Sequence, residues 1–116
     1  MISGVHAIVF GEDADATRAF FRDVLNLDGV DAGGGWLIFA LPPAEVAVHP
    51  GDKPSHELYL MCADLEATMA ELTAKGVEFV EPVTDAGWGL LTRLKVPGAG
   101  DIGLYQPRHP SPLPGF

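Results

Sequence analysis

The chain is 116 residues long, below the ~150 residues that a single domain commonly takes, so it is expected to form one domain with no second independent core. Its 47% hydrophobic and 20% charged content is that of an ordinary globular chain, and seven Lys plus Arg against sixteen Asp plus Glu leave a net charge of −9, which repels phosphate backbones and anionic headgroups and argues against nucleic acid and membrane surfaces as partners. A single cysteine, Cys62, allows no internal disulfide, and no apolar run exceeds that of 36–41, short of the ~20 residues of a membrane helix, so a cytoplasmic location is expected.

Taken in chain order, residues 5–10 have strand character, and a helix is expected to follow Asp13, a good N-cap with the further acid Asp15 in its first turn. Ala16, Phe20 and Val24 make one apolar stripe, and Asp28-Gly29 is the expected stop. A short strand near Val30, a flexible hairpin connection at Gly33-Gly34-Gly35, and strands at 36–41 and 45–49 complete the first half. Residues 57–62 then read as a strand, Asp64 caps a helix striped by Leu65, Met69 and Leu72, and Lys75-Gly76 ends it. Strands follow at 77–80, 90–96 and 102–105. The tail 107–116 holds four prolines and reads as an extended arm.

The two halves repeat. Asp13, Ala16, Thr17 and Ala19 recur as Asp64, Ala67, Thr68 and Ala70, a constant offset of 51 residues, each set preceded by a strand and followed by short strands. A strand, a helix and about three strands, repeated once, is an α+β chain with helices on one face of its sheets.

Strand parity then sorts the side chains, because alternate residues face opposite sides of a sheet. Val5, Ala7 and Val9 suit a face under a helix and leave His6, Ile8 and Phe10 opposite; Leu58, Leu60 and Cys62 likewise leave Glu57, Tyr59 and Met61. Val46 and Val48 read as buried, with Glu45, Ala47 and His49 on the open face. If the halves pack about an approximate twofold axis, His6, His49 and Glu57 converge on one concavity. Two imidazoles and a carboxylate suit Fe(II), Zn, Ni, Co or Mn and match the facial triad of non-haem iron sites. His56 has the opposite parity and reads as a strand-end residue, and His109, in the tail, as solvated.

HAIVFGED at 6–13, AFFRDVL at 19–25, DLEA at 64–67, KGVEF at 75–79 and the stretch from Pro97-Gly98 to IGLYQ at 102–106 resemble the vicinal oxygen chelate superfamily. That superfamily includes glyoxalase I, bleomycin-resistance proteins and extradiol dioxygenases. The resemblance implies two βαβββ modules, about 1–50 and about 55–107, within one domain over 1–116. Their curved mixed sheets would close around a small-molecule cup, commonly in a homodimer, with 108–116 as the arm. It implies metal ligands from the first and last strands of each module, at positions matched here by His6, His49 and Glu57; the fourth falls at Gly103, which has no side chain to offer and departs from the glyoxalase I pattern.

The activity implied is a divalent-metal-dependent lyase, isomerase or dioxygenase that chelates a small oxygenated substrate through two oxygens. The alternative is a metal-free binding protein of the bleomycin-resistance kind, which the acidic balance suits if the ligand is basic. A proton-transfer role would fall to Glu45, Tyr59 or Tyr105, although Tyr59 reads more simply as an amphipathic wall residue with its hydroxyl at the wet end. Phe10 and Met61 would line the cup. Trp88, on the glycine-flanked loop 84–89, is a cover over its mouth, a dimer contact or part of the core rim, and Arg93 either recognises an anionic substrate group or belongs to a solvated face.

Overall fold

The structure is a computed structural model that describes residues 7–9, 12–35, 37–45, 47, 52 and 56–111. The expected N-caps form at both ends of the 51-residue offset. The Asp13 carboxylate accepts from Ala16 N at 3.0 Å to open α1 (Ala14–Ala19), and the Asp64 carboxylate accepts from Ala67 N at 3.0 Å to open α2 (Leu65–Ala74).

The first helix differs from expectation beyond Ala19. Phe20–Val24 winds as a π-helix, Leu25 N–H reaching back to Phe20 O at 3.1 Å, and the chain leaves at Asn26 with φ of 57°. The wider turn lets Phe20, Phe21, Val24 and Leu25 all pack on the core, and asparagine is a residue that tolerates this left-handed geometry. Gly29, expected as part of the stop, instead opens β1 (Gly29–Asp31), which pairs antiparallel with β2 (Leu37–Phe39). Trp36 lies outside the described residues.

The strand expected at 45–49 is absent at its described members, Glu45 and Ala47. Pro42 and Pro43 upstream lack backbone donors for a ladder, and Glu45 is drawn into side-chain hydrogen bonds described below. Of the strand expected at 5–10, residues 7–9 are described and carry no strand assignment; His6 and Phe10 lie outside the described residues.

The second half is a strand, α2 and three further strands: β3 (Tyr59–Met61), β4 (Thr84–Asp85), β5 (Gly89–Val96) and β6 (Gly100–Pro107). They form one mixed sheet in the order β3-β6-β5-β4, with β3 parallel to β6 and the other pairs antiparallel. The α+β class with a mixed sheet is thus the observed one. The strand expected at 77–80 contracts to a single bridge, Phe79 with Leu94, flanked by Val80 N to Arg93 O and Lys95 N to Glu78 O, both 2.9 Å. Pro82, two residues on, has no N–H with which to extend it.

One face of the sheet is covered by both helices. Leu94 and Val96 from β5, Ile102 and Leu104 from β6, Leu65 and Leu72 from α2, Phe20 and Val77 form a single buried cluster, against which Leu58, Leu60 and Cys62 also pack, as parity required. Leu94 is 0% exposed, and burying a side chain of this size contributes about 1.5–3 kcal/mol. α1 is fastened to the β5–β6 turn by Thr17 Oγ1 donating to Pro97 O at 2.8 Å and Asp13 N to Gly98 O at 3.2 Å. Gly98 has φ of 78°, and a Cβ there would stand 2.5 Å from the Asp13 carbonyl oxygen, so glycine is required for this approach. Among the described residues no helix is long and apolar enough to cross a membrane.

Candidate functional site

The other face of the same sheet carries different chemistry. Register places Tyr59 and Arg93 on either side of Gly103, and Met61 and Leu91 on either side of Tyr105, so these side chains alternate away from the helix-side core. Glu57, two residues before Tyr59, stands exposed in line with it.

Gly103 decides the packing here. A Cβ at that position would fall on the Tyr59 ring, so the missing side chain is what lets Tyr59 lie across β6. Tyr59 meets Tyr105 at a ring-centroid distance of 5.7 Å and 85°, Trp88 meets Tyr105 at 5.3 Å and 69°, and Tyr59 meets Trp88 at 6.3 Å and 81°. Edge-to-face pairs in this range are the favoured aromatic geometry. Three rings, each nearly perpendicular to the other two, form a corner.

Trp88 reaches this corner from the β4–β5 hairpin. Asp85 accepts from Gly87 N at 2.9 Å to shape the hairpin tip, and Arg108 clasps it, its Nη1 2.8 Å from Asp85 Oδ2 and its backbone N–H donating to Trp88 O at 2.9 Å. The expected loop 84–89 is therefore a short hairpin with Trp88, 38% exposed, at the edge of the aromatic face.

A polar network backs the rings. Tyr105 Oη donates to Glu45 Oε1 at 3.1 Å, Ser111 Oγ donates to Glu45 Oε2 at 2.7 Å, and His109 Nε2 lies 3.1 Å from Tyr105 Oη and 3.3 Å from Glu45 Oε1. The His109 ring also stacks on Tyr105, centroids 5.9 Å apart at 27°. His109 is thus not the solvated tail residue that the sequence suggested: Tyr105, four residues before it, and Glu45, from the first half of the chain, hold it, with its side chain 26% exposed against 15% for Glu45.

These surroundings set the protonation states. The Ser111 hydrogen bond, then that of Tyr105 and the charge of His109, hold the Glu45 carboxyl below the usual carboxylate range against the opposing effect of burial. Burial first, then the hydrogen bond and charge of Glu45, push the Tyr105 phenol up to about 12. Tyr105 is accordingly a hydrogen-bond donor and a poor base at neutral pH. Burial, followed by the charge of Glu57, also pushes the Tyr59 hydroxyl up.

Of the ten residues singled out from the sequence, seven are described. Glu57, Tyr59, Met61, Arg93 and Tyr105 share one sheet face, and Glu45 and Trp88 join it at the Tyr105 end. His6, Phe10 and His49 lie outside the described residues. Sequence reasoning missed His109 and Ser111, whose role depends on contacts with a residue more than sixty positions away, and the Asp85–Arg108 clasp; no local pattern marks any of them. A separate open cavity of about 510 Å3, lined by Leu65, Met69, Val83 and Leu90 among others, lies on the helix side of the sheet and shares none of the aromatic residues.

Residues 4–97 match the family model described as Glyoxalase/Bleomycin resistance protein/Dioxygenase superfamily. The chain belongs to this superfamily. Among solved structures, this superfamily member is 25% identical to TnmS3, an antibiotic binding protein from Streptomyces sp. CB03234, over 92% of this chain and 99% of that one, with a TM-score of 0.61. A superfamily member from Sphaerobacter thermophilus DSM 20745 is 22% identical over 90% and 98% of the two chains, TM-score 0.65. A lactoylglutathione lyase from Agrobacterium tumefaciens is 16% identical over 98% and 100%, TM-score 0.58. The last two likenesses are of fold. No curated protein matches the chain.

Members of this superfamily often use a divalent metal. Of the four positions that the resemblance assigns to ligands, His6 and His49 lie outside the described residues, Glu57 offers one carboxylate, and Gly103 offers no donor and is covered by the Tyr59 ring. The described half of the donor set does not fit a four-ligand centre. Among the described residues no three His, Cys, Asp or Glu side chains are grouped to hold an ion.

Proposed function

We propose that this superfamily member is a small-molecule-binding protein of the antibiotic-binding kind, holding an aromatic ligand against the face walled by Tyr59, Trp88 and Tyr105. The observation that carries this reading is the aromatic corner itself, built where a fourth ligand would stand: Gly103 gives its space to the Tyr59 ring. Flat rings pack on such walls through apolar contact and edge-to-face attraction, and large rigid aromatics lose little conformational entropy on binding. Tyr105 has its hydroxyl proton committed to Glu45 and supplies a ring and no base, Arg93 and Glu57 act on Tyr59 with opposite charges, and the network through Glu45, His109 and Ser111 holds the rear wall in place. Met61 lines the face beside Tyr105, and Phe10 would extend the apolar lining. Location in the cytoplasm and assembly as a homodimer accompany this reading.

Titration calorimetry with acridine, used as a planar polycyclic aromatic probe, in EDTA and again after addition of Zn, Ni or Fe(II), tests it. The expected result is saturable binding with the same affinity in chelator and in metal. A second reading, a metal-dependent lyase, isomerase or dioxygenase with His6, His49 and Glu57 as ligands, is favoured by Glu57, which stands exposed on the same face two residues from Tyr59. Binding or turnover that EDTA abolishes and metal restores, and that Glu57→Ala loses, would establish this second reading in place of the first.

A further inference from the structure

Tyr105 projects from the sheet face that the helices leave uncovered, yet it is only 6% exposed. Whatever covers its ring therefore lies over that same face. Tyr59 and Trp88 meet the ring at steep angles, 85° and 69°. Among the described residues the one near-parallel partner is the imidazole of His109, with centroids 5.9 Å apart at 27°.

His109 belongs to the segment that follows β6. Residues 108–111 form neither helix nor strand, and a few polar ties hold them. Arg108 N–H donates to Trp88 O at 2.9 Å and its guanidinium pairs with Asp85 at 2.8 Å, while Ser111 Oγ donates to Glu45 Oε2 at 2.7 Å. The Arg108–Asp85 pair is about half exposed on each side, and pairs of that kind hold weakly. The segment crosses the aromatic face as a strap, with one flat ring laid on Tyr105.

The imidazole is held by its edge as well as its face. Nε2 lies 3.3 Å from Glu45 Oε1 and 3.1 Å from Tyr105 Oη, and Nδ1 lies 2.8 Å from Pro110 O, so both nitrogens stand opposite oxygens that accept. Tyr105 gives its own proton to Glu45, which leaves its oxygen open to an N–H. Lifting the strap takes Ser111 and His109 from Glu45 together and leaves it Tyr105. A carboxylate whose side chain is only 15% exposed is then short of donors, which is costly. Whatever fills the vacated place best brings a flat ring for Tyr105 and an N–H for Glu45.

We propose that His109 occupies the ligand seat, and that the ligand is a planar nitrogen heterocycle whose ring N–H replaces the imidazole against Tyr105 and Glu45 when the strap 108–111 lifts. The proposal rests on the binding reading above; it names the ring chemistry that the seat selects and the contact that must be released first. The closed strap lowers apparent affinity in proportion to the fraction of molecules in which it is closed. No covalent bond is made or broken.

The test is calorimetric titration with benzimidazole and with 1-methylbenzimidazole, which lacks the N–H, with acridine titrated into the same samples. Benzimidazole is expected to bind His109→Ala about tenfold tighter than the parent protein, because the competing ring is gone. His109→Phe, which keeps a ring on Tyr105, should show no such gain. Within His109→Ala the N–H compound should be preferred to its methyl derivative by about five- to tenfold, a preference that adding Glu45→Ala removes. Far-UV circular dichroism and thermal melts establish that the variants are folded. Equal affinity in the parent and His109→Ala, or an equal gain in His109→Phe, overturns the proposal, since the imidazole is then a wall and not an occupant. A preference for the N–H compound that survives Glu45→Ala overturns it too. If acridine binds and these differences are missing, the seat alone fails; if neither acridine nor benzimidazole binds any of the proteins, the binding reading fails with it.

Discussion

The two faces of the four-stranded sheet are made by alternate residues of the same strands and have opposite fates. On the helix side Leu94, Val96, Ile102 and Leu104 are buried among aliphatic neighbours under both helices. One residue away along the chain, Arg93, Gly103 and Tyr105 belong to a face of rings, charges and a glycine. Tyr105 is almost as buried, 6% exposed, but its burial comes from other aromatic rings and from the segments carrying Glu45 and His109. A face filled by aliphatics is optimised for packing alone. The other face retains a tryptophan that is 38% exposed, and on the function proposed above it is the surface a ligand would meet.

Substitutions on the two faces should therefore separate stability from binding. The largest effect expected is from Leu94→Ala, which removes a fully buried side chain and should cost about 3 kcal/mol in urea unfolding, while ligand affinity measured below the transition stays as it was. Loss of affinity in the still-folded variant would mean that the faces are coupled. Next comes Gly103→Ala: its Cβ meets the Tyr59 ring, and forced repacking should cost about 1–3 kcal/mol and weaken aromatic-ligand binding together with stability, as calorimetry and melts on one sample would show.

Trp88→Ala should divide the two properties the other way. Its ring contacts with Tyr59 and Tyr105 predict a stability loss of about 1 kcal/mol, well below that of Leu94→Ala, and loss of one wall predicts about a tenfold fall in affinity, or about 1.4 kcal/mol. A variant that melts early but binds normally would reassign Trp88 to a structural role.

The smallest effect concerns acid. Because Glu45 titrates below its ordinary value in the folded protein, the stability that it contributes is present above the unfolded carboxyl value of about 4.3 and is lost as pH falls through the lower folded value. Melting temperature followed from about pH 6 down to about pH 3 should therefore fall less steeply in Glu45→Gln than in the parent protein. Parallel curves would show that the network behind Tyr105 holds no net preference for the carboxylate.

Much of the helix-side face was readable in advance. The offset of 51 residues predicted two aspartate caps, and both form; parity predicted that Leu58, Leu60 and Cys62 would face the helices, and they do. These are short-range matters, set by the period of a strand and by the four unpaired N–H groups of a helix end. The π-helical turn at Phe20–Val24 and the contraction of the 77–80 strand were not readable, since each answers to packing or pairing with distant residues. His109 shows the same limit from the other side. Within its proline-rich tail it has the pattern of a solvated residue, and its partners Tyr105 and Glu45 give it another role.

From the linear chain alone came the faces on which residues 58–62 and 93–96 would stand, the two aspartate-capped helix starts and the glycine at position 103. Those follow from bond geometry and near-neighbour hydrogen bonding. Which rings would meet was a matter of three dimensions: Tyr59, Trp88 and Tyr105 come from three different strand or hairpin positions, joined with Glu45 from the first half and His109 from the tail. A glycine at 103 signals only that a side chain is missing; that the space belongs to Tyr59 depends on the parallel register of β3 with β6. Strand register is chosen by the burial of a whole face at once, and no local window of sequence contains that information.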